Sequence, residues 1–187
     1  MVVAGYLLGT APTALLVARR HGRDPTREGS GNPGASNVYR TAGAKAGALV
    51  FAGDALKGVV ATALGLAVDG RLLALAAGGA AVVGHVFPVM RRLRGGKGVA
   101  TACGVVAVLF PLVAAVGGAL WALVAKATGK ASLASIVLAV LLPVGALVTD
   151  RPIAEVVGVA AIAALVVVRH ASNIERLVRG DERSLHP

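Results

Sequence analysis

Two glycine-rich stretches hold the residues best suited to gripping phosphate. The first is Gly29-Ser30-Gly31-Asn32-Pro33-Gly34-Ala35-Ser36-Asn37, followed by Arg40. Glycines permit turns that aim successive N–H groups at one anion, and hydroxyl and amide side chains add further donors. Arg40 can supply a bidentate guanidinium. A plain Gly/Asn/Pro turn between helices accounts for the same residues equally well. The second stretch is Arg91-Arg92-Leu93-Arg94-Gly95-Gly96-Lys97-Gly98, opening into an apolar run at Val99. A helix N-terminus behind glycines and a lysine attracts anions. It is not a nucleotide-hydrolysing P-loop, which needs Gly where Arg91 stands and Ser or Thr where Gly98 stands. Arg91 and Arg92 also suit a topology anchor on anionic lipid heads, a role that leaves the three glycines unexplained.

Other polar residues are weaker candidates. Ser132 begins the helix after Lys130, where a hydroxyl is by default a cap, although its place on the same face permits a ligand contact. Arg169, Asn173, Arg176 and Gly180 are spaced to share one stripe if the last helix runs on through them. Asp54 and Lys57 share a helix face inside an apolar run and read first as a mutual structural pair. His85 reads as a histidine bonded to a neighbouring helix. No His, Cys and carboxylate set has metal-ligand spacing, and no Ser–His–Asp arrangement follows from spacing. His170 and Glu175 are five apart, about 140° around a helix, and so do not form a His–carboxylate dyad.

The elements that must position these residues are membrane helices. The chain has 187 residues, 56% hydrophobic, only 15% charged, with mean hydropathy +0.77. Apolar runs cover roughly 2–18, 46–68, 72–90, 99–126, 131–148 and 153–168. Most approach the ~20 residues that span a bilayer core. A single crossing by 99–126 would put the basic stretches at its two ends on opposite faces. A break at Pro111 returns both to one face, which predicts about seven transmembrane helices in an all-α polytopic bundle. Residues 1–187 read as one domain, with no room for a separate soluble module.

The net charge of +10 would ordinarily suggest nucleic acid. All Lys and Arg except Lys57, Arg71 and Arg151 lie in 19–45, 90–98, 126–130 and 169–187, so the charge reads as positive-inside topology instead. That predicts the N-terminus outside, the C-terminus in the cytoplasm and no nucleic-acid partner. The first apolar run lacks a basic stretch before it and precedes Arg19-Arg20, the reverse of a cleavable signal. Cys103 lies in an apolar stretch, a small core residue with no disulfide partner.

Taken together, GSGNPGASNVYR at 29–40, DALKG at 54–58, GHVFP at 84–88, GGKGVAT at 95–101, SLAS at 132–135 and RHASNIERLVRGDE at 169–182 resemble one family. It is the PlsY-type acyl-phosphate:glycerol-3-phosphate acyltransferases of bacterial membranes. Ser36, Leu93-Arg94 and Thr10 depart mildly from residues common there. The resemblance implies transfer of a fatty acyl group from acyl phosphate to the 1-hydroxyl of sn-glycerol 3-phosphate, giving lysophosphatidic acid and inorganic phosphate. It implies no cofactor, no metal, and neither acyl-CoA nor acyl carrier protein as direct donor. It places the protein in the bacterial inner membrane among lipids, with the site facing the cytoplasm. Carried over residue by residue, Ser30, Arg40, Lys97, Ser132, His170 and Asn173 line that site. Gly31, Asn32, Gly34, Asn37, Gly95, Gly96, Gly98 and Arg176 are then expected to bind substrate phosphate, with Asp54, Lys57 and His85 in support. A transporter of a phosphorylated solute is the main alternative from the residues alone, and a ligand-free membrane scaffold the third.

Overall fold

A computed structural model describes residues 1–185, and every element in them is helical. The elements are α1 (Val2–Gly9), α2 (Thr13–Arg19), α3 (Ala35–Ala42), α4 (Ala44–Val86), a 3₁₀ turn (Val89–Arg91), α5 (Val99–Leu109), α6 (Pro111–Thr128), α7 (Ala131–Val148), α8 (Ile153–Val168) and α9 (Ala171–Arg179). By length and composition, four stretches can cross a membrane: Val2–Arg19, Ala44–Arg91, Pro111–Thr128 and Ala131–Val148. The bent pair α8 and α9 makes a fifth, and α5 is a shorter apolar helix. Large side chains such as Leu49, Leu112, Val148 and Ile153 are more than half exposed, as a lipid-facing surface requires.

Helix α4 is a hairpin of two arms. Its backbone leaves helical geometry at Asp69 and Gly70, where Gly70 takes φ +67°. The arms return side by side, so that Gly65 lies against Ala74 and Gly78 against Thr62. Pro111 separates α5 from α6 as expected, with Phe110 at the break. That break is held from the side. Arg71 Nε and Nη2 donate to the two Glu155 carboxylate oxygens at 2.8 Å each, and Nη2 also donates to the Leu109 carbonyl at 2.9 Å. Phe110 lies under the guanidinium groups of both Arg71 and Arg151. Arg71 is therefore tied across the fold to Glu155.

Small residues set the helix spacing, as they must where lipid offers no hydrophobic drive between helices. A methyl group on Gly5 or Gly9 of α1 would sit 2.2 and 2.1 Å from the Ala77 and Ala81 carbonyls of α4. One on Gly104 of α5 would sit 2.0 Å from the Ala55 carbonyl, and one on Gly58 of α4 would sit 2.1 Å from the Thr101 carbonyl. Gly104→Ala therefore forces α4 and α5 apart at mid-helix. The expected cost is about 1–3 kcal/mol, readable as a lower thermal midpoint in detergent; an unchanged midpoint would show that the contact has slack.

Two expectations need correction. The first apolar run is not one helix. It breaks at residues 10–12 because Pro12 has no N–H to continue the ladder. Lys57 Nζ fills the gap, donating to the Ala11 carbonyl at 2.5 Å. Nor does the last helix run on: α8 and α9 meet at a 56° bend at Arg169–His170. Arg169 therefore closes α8 and Gly180 follows α9, and only Asn173 and Arg176 of the expected stripe share a helix. The bend brings Asn173 of α9 to Lys97, just before α5, and the tail after α9 to Ser132 of α7.

Candidate active site

The two glycine-rich stretches form loop 1 (residues 29–37) and loop 2 (residues 91–98), and loop 1 is organised around Asn37, which is 1% exposed. Its Oδ1 accepts from the Ser30 N–H at 2.8 Å, and its Nδ2 donates to the Pro25 and Glu28 carbonyls at 2.9 and 3.0 Å. The N–H groups of Gly31 and Gly34 donate to the Glu28 and Asn32 carbonyls, both at 3.0 Å, and the Asn32 N–H faces Ser30 Oγ at 3.4 Å. These bonds shape the loop, a scaffolding role for Gly31, Asn32, Gly34 and Asn37 beside the phosphate contact expected of them. The product of that scaffold is α3, an element not foreseen, whose last turn carries Arg40. Arg40 Nε is buried with no hydrogen-bond partner among the described residues. Burial first, then neighbouring Arg183 and Arg176, lower the Arg40 pKa, against the pull of Glu182.

Loop 2 closes over the end of α4. The Gly95 and Gly96 N–H groups donate to the Val86 and His85 carbonyls, both at 3.1 Å. A methyl on either glycine would meet His85 at 2.0 or 2.2 Å. Gly95 and Gly96 are thus demanded by packing, and their expected phosphate contact is not what explains them. Gly98, at φ +86°, makes the turn into α5. Lys97 is delivered by that turn, and its Nζ donates to Asn173 Oδ1 on α9.

The C-terminal segment completes the cluster. His170, 2% exposed, sits at the α8–α9 bend with Nδ1 2.7 Å from the Val166 carbonyl. A carbonyl only accepts, so Nδ1 carries the proton and the neutral ring presents Nε2 as an acceptor. Asn173 Nδ2 donates to Glu182 Oε1 at 2.6 Å, Ser132 Oγ donates to the same oxygen at 2.8 Å, and Arg176 Nε donates to Oε2 at 2.8 Å. Ser132 is thus turned inward and does not cap α7, whose preceding residue is Lys130.

Lys97, Ser132, Asn173 and Arg176 therefore come together from three segments, with Arg40 and His170 in electrostatic reach. Ser30 keeps its bonds within loop 1. Sequence reasoning missed Glu182. The one signal available was an acidic residue two places after a helix-ending Gly180 in a basic tail. Burial raises the Glu182 pKa, but bonds from Ser132, Asn173 and Arg176 outweigh it and hold the carboxyl ionised. For Lys97, burial dominates and Arg176, Arg40 and Arg169 add repulsion, bringing it down to about 8.

Asp54, Lys57 and His85 form a separate buried group beneath loops 1 and 2. Lys57 Nζ lies 2.6 Å from Asp54 Oδ1, and His85 Nδ1 lies 3.6 Å from the same oxygen across the two arms of α4. Beside the cluster, an apolar cavity of about 270 Å³ opens between α4, α5, α6, α7 and α8. Val99 and Val166 line it, each within a turn of Lys97 or His170, as do Ala114 and Gly118 deeper in the bundle. Among the described residues no group of three or more His, Cys, Asp or Glu could hold a metal ion.

Residues 1–180 match the protein family described as glycerol-3-phosphate acyltransferase. A protein of that name from Rubrobacter xylanophilus is 45% identical over 184 residues, covering 98% of this chain and 92% of its own. Another from Syntrophotalea carbinolica is 41% identical, covering 97% and 94%. The crystal structure of PlsY (YgiH), an integral membrane glycerol 3-phosphate acyltransferase in its glycerol 3-phosphate form, is similar with TM-score 0.94 at 37% identity, covering 98% of this chain and 92% of that one. Its lysophosphatidic acid form is similar with TM-score 0.92. Helices, polar cluster and these likenesses agree: the chain belongs to the glycerol-3-phosphate acyltransferase family of integral membrane proteins.

Proposed function

We propose that this protein transfers a fatty acyl group from acyl phosphate to the 1-hydroxyl of sn-glycerol 3-phosphate, releasing lysophosphatidic acid and inorganic phosphate. The observation that carries this reading is the meeting of Lys97, Ser132, Asn173 and Arg176 on one anion seat close to an apolar cavity. A phosphate on a fatty chain needs both features together. Seven crossings follow if α1 with α2, each arm of α4, and α5, α6, α7 and α8 each traverse the membrane. The N-terminus is then outside, and the basic loops and the site face the cytoplasm of a bacterial inner membrane. The whole chain acts as one domain.

Acyl phosphate is a mixed anhydride, already activated, so no protein nucleophile is required. The glycerol 1-oxygen attacks the acyl carbon, the bond from that carbon to the phosphate oxygen breaks, and the hydroxyl proton leaves on phosphate. Arg40 and Lys97 neutralise the two phosphates and stabilise the departing one. Ser132, Asn173 and Arg176 orient glycerol 3-phosphate, with Ser30 at the rim, and His170 offers Nε2 as an acceptor. Gly98 at the start of α5 adds the helix end as a further positive pole.

Purified protein in vesicles tests the reading. Phosphate release is expected only when acyl phosphate and glycerol 3-phosphate are both present, and not when acyl-CoA or acyl carrier protein replaces the donor. Uptake of a phosphorylated solute without turnover would overturn it. The cavity gives a sharper check. Gly118 lines the cavity and a methyl group added there meets nothing within 4 Å, so Gly118→Leu adds bulk at the cavity wall. Preference is expected to shift about tenfold toward shorter acyl phosphates; an unchanged chain-length profile places the acyl chain elsewhere.

A further inference from the structure

The tail after α9 brings a carboxylate into the anion seat. Gly180, at φ +79°, turns the chain back, and the Asp181 N–H donates to the Arg176 carbonyl at 2.8 Å. Further on, the Leu185 N–H donates to the Gly129 carbonyl at 2.6 Å and pins the strap to the α6–α7 turn. Between these anchors Glu182 points inward, its side chain 5% exposed. Its two oxygens take bonds from Ser132, Asn173 and Arg176, the groups that orient the substrate phosphate under the acyl-transfer reading. Ser132 has one hydroxyl proton and Arg176 Nε has one N–H. Neither can serve the carboxylate and a phosphate oxygen at once. A phosphate dianion entering beside an ionised carboxylate is also repelled by it.

We infer that Glu182 is an internal stand-in for substrate phosphate, exchanging places with it in each catalytic cycle as the strap 180–185 lifts and returns. Between turnovers the carboxylate keeps Ser132, Asn173 and Arg176 aimed at the seat and balances the surrounding Arg40, Lys97 and Arg176. Glycerol 3-phosphate binds by displacing it, so the apparent affinity is scaled down by the fraction of time the seat is open. The identity of the phosphate rests on the acyl-transfer reading; the exchange itself does not.

Glu182→Gln keeps the length and hydrogen-bonding atoms but removes the competing charge. The expected result is a KM for glycerol 3-phosphate about three- to tenfold lower. An unchanged or raised KM overturns the proposal. So does a collapse of kcat with an altered pH profile, which would make Glu182 the proton acceptor. A second measurement stands if that variant fails to fold. Spin labels at Arg183→Cys and Ala127→Cys, in a Cys103→Ala background, report the gap between the strap and the end of α6. Glycerol 3-phosphate, and inorganic phosphate at higher concentration, are expected to lengthen it; an unchanged distance overturns the proposal. Lengthening in a protein that shows no acyl transfer would retain the exchange and discard the assigned reaction.

Discussion

Lys97→Ala is expected to lower kcat/KM by about 10³-fold while the protein stays folded, the upper end of what loss of one preorganised charge donor costs. Lys97 is held by backbone turns on both sides and by Asn173, so its ammonium group is fixed before substrate arrives. Nothing nearby replaces it at that point: Arg40 comes from α3 and Arg176 from α9. The same residue sets a pH dependence. With its pKa lowered to about 8, Lys97 loses its proton as pH rises past that value. The alkaline limb of kcat/KM is therefore expected near pH 8, because that parameter reports the free enzyme. Bound phosphates favour the cation and move the limb of kcat to higher pH. Lys97→Arg stays charged and should remove the limb while losing activity through its different shape. Near-normal turnover by Lys97→Ala would remove the electrostatic role.

Asp54→Ala is expected to act on the fold. Asp54 and Lys57 are 2% and 7% exposed, and Lys57 also closes the α1–α2 break through the Ala11 carbonyl. Removing the carboxylate leaves a buried ammonium facing an apolar bundle, which costs about 3–5 kcal/mol. Total stability is commonly about 5–15 kcal/mol, so a sizeable share of it is lost and the folded fraction after extraction should fall. The measure is the monodisperse fraction on size-exclusion chromatography in detergent. Asp54→Ala with Lys57→Met removes the stranded charge and should recover part of the loss. A single variant that behaves like the parent would show that Asp54 does not hold the bundle.

The membrane character, the break at Pro111 and the turn at 69–71 were readable in the sequence because each depends on local chemistry: apolar length, a missing N–H, a glycine between charges. The meeting of Lys97, Ser132, Asn173 and Arg176 was approached through basic loops that topology places on one face. What escaped was set at long range. Asn37 looks like a ligand-binding amide until its Nδ2 is seen to donate to the Pro25 and Glu28 carbonyls and its Oδ1 to accept from the Ser30 N–H. Gly95 and Gly96 look like an anion cradle, yet what requires them is His85, ten or so residues earlier and on another element. The break at Pro12 was open to inspection; the lysine that bonds the Ala11 carbonyl there lies 46 residues on from Ala11. Glu182 could be recognised only when the bend at His170 had brought the tail after α9 against Ser132 of α7.

Helix α5 has 11 residues, about 16 Å of rise against a hydrocarbon slab about 30 Å thick. Its near end carries the anion seat, and its far end is capped by Arg71. Under the seven-crossing proposal, water-loving groups then dip below the headgroups from both leaflets. An amphiphile resting in the leaflet on the site's side would meet the charged cluster at its own depth, without climbing out of the oil to react. On that reading the protein lowers the water level locally, so that a water-borne reactant and a lipid-borne one meet on a shared shoreline.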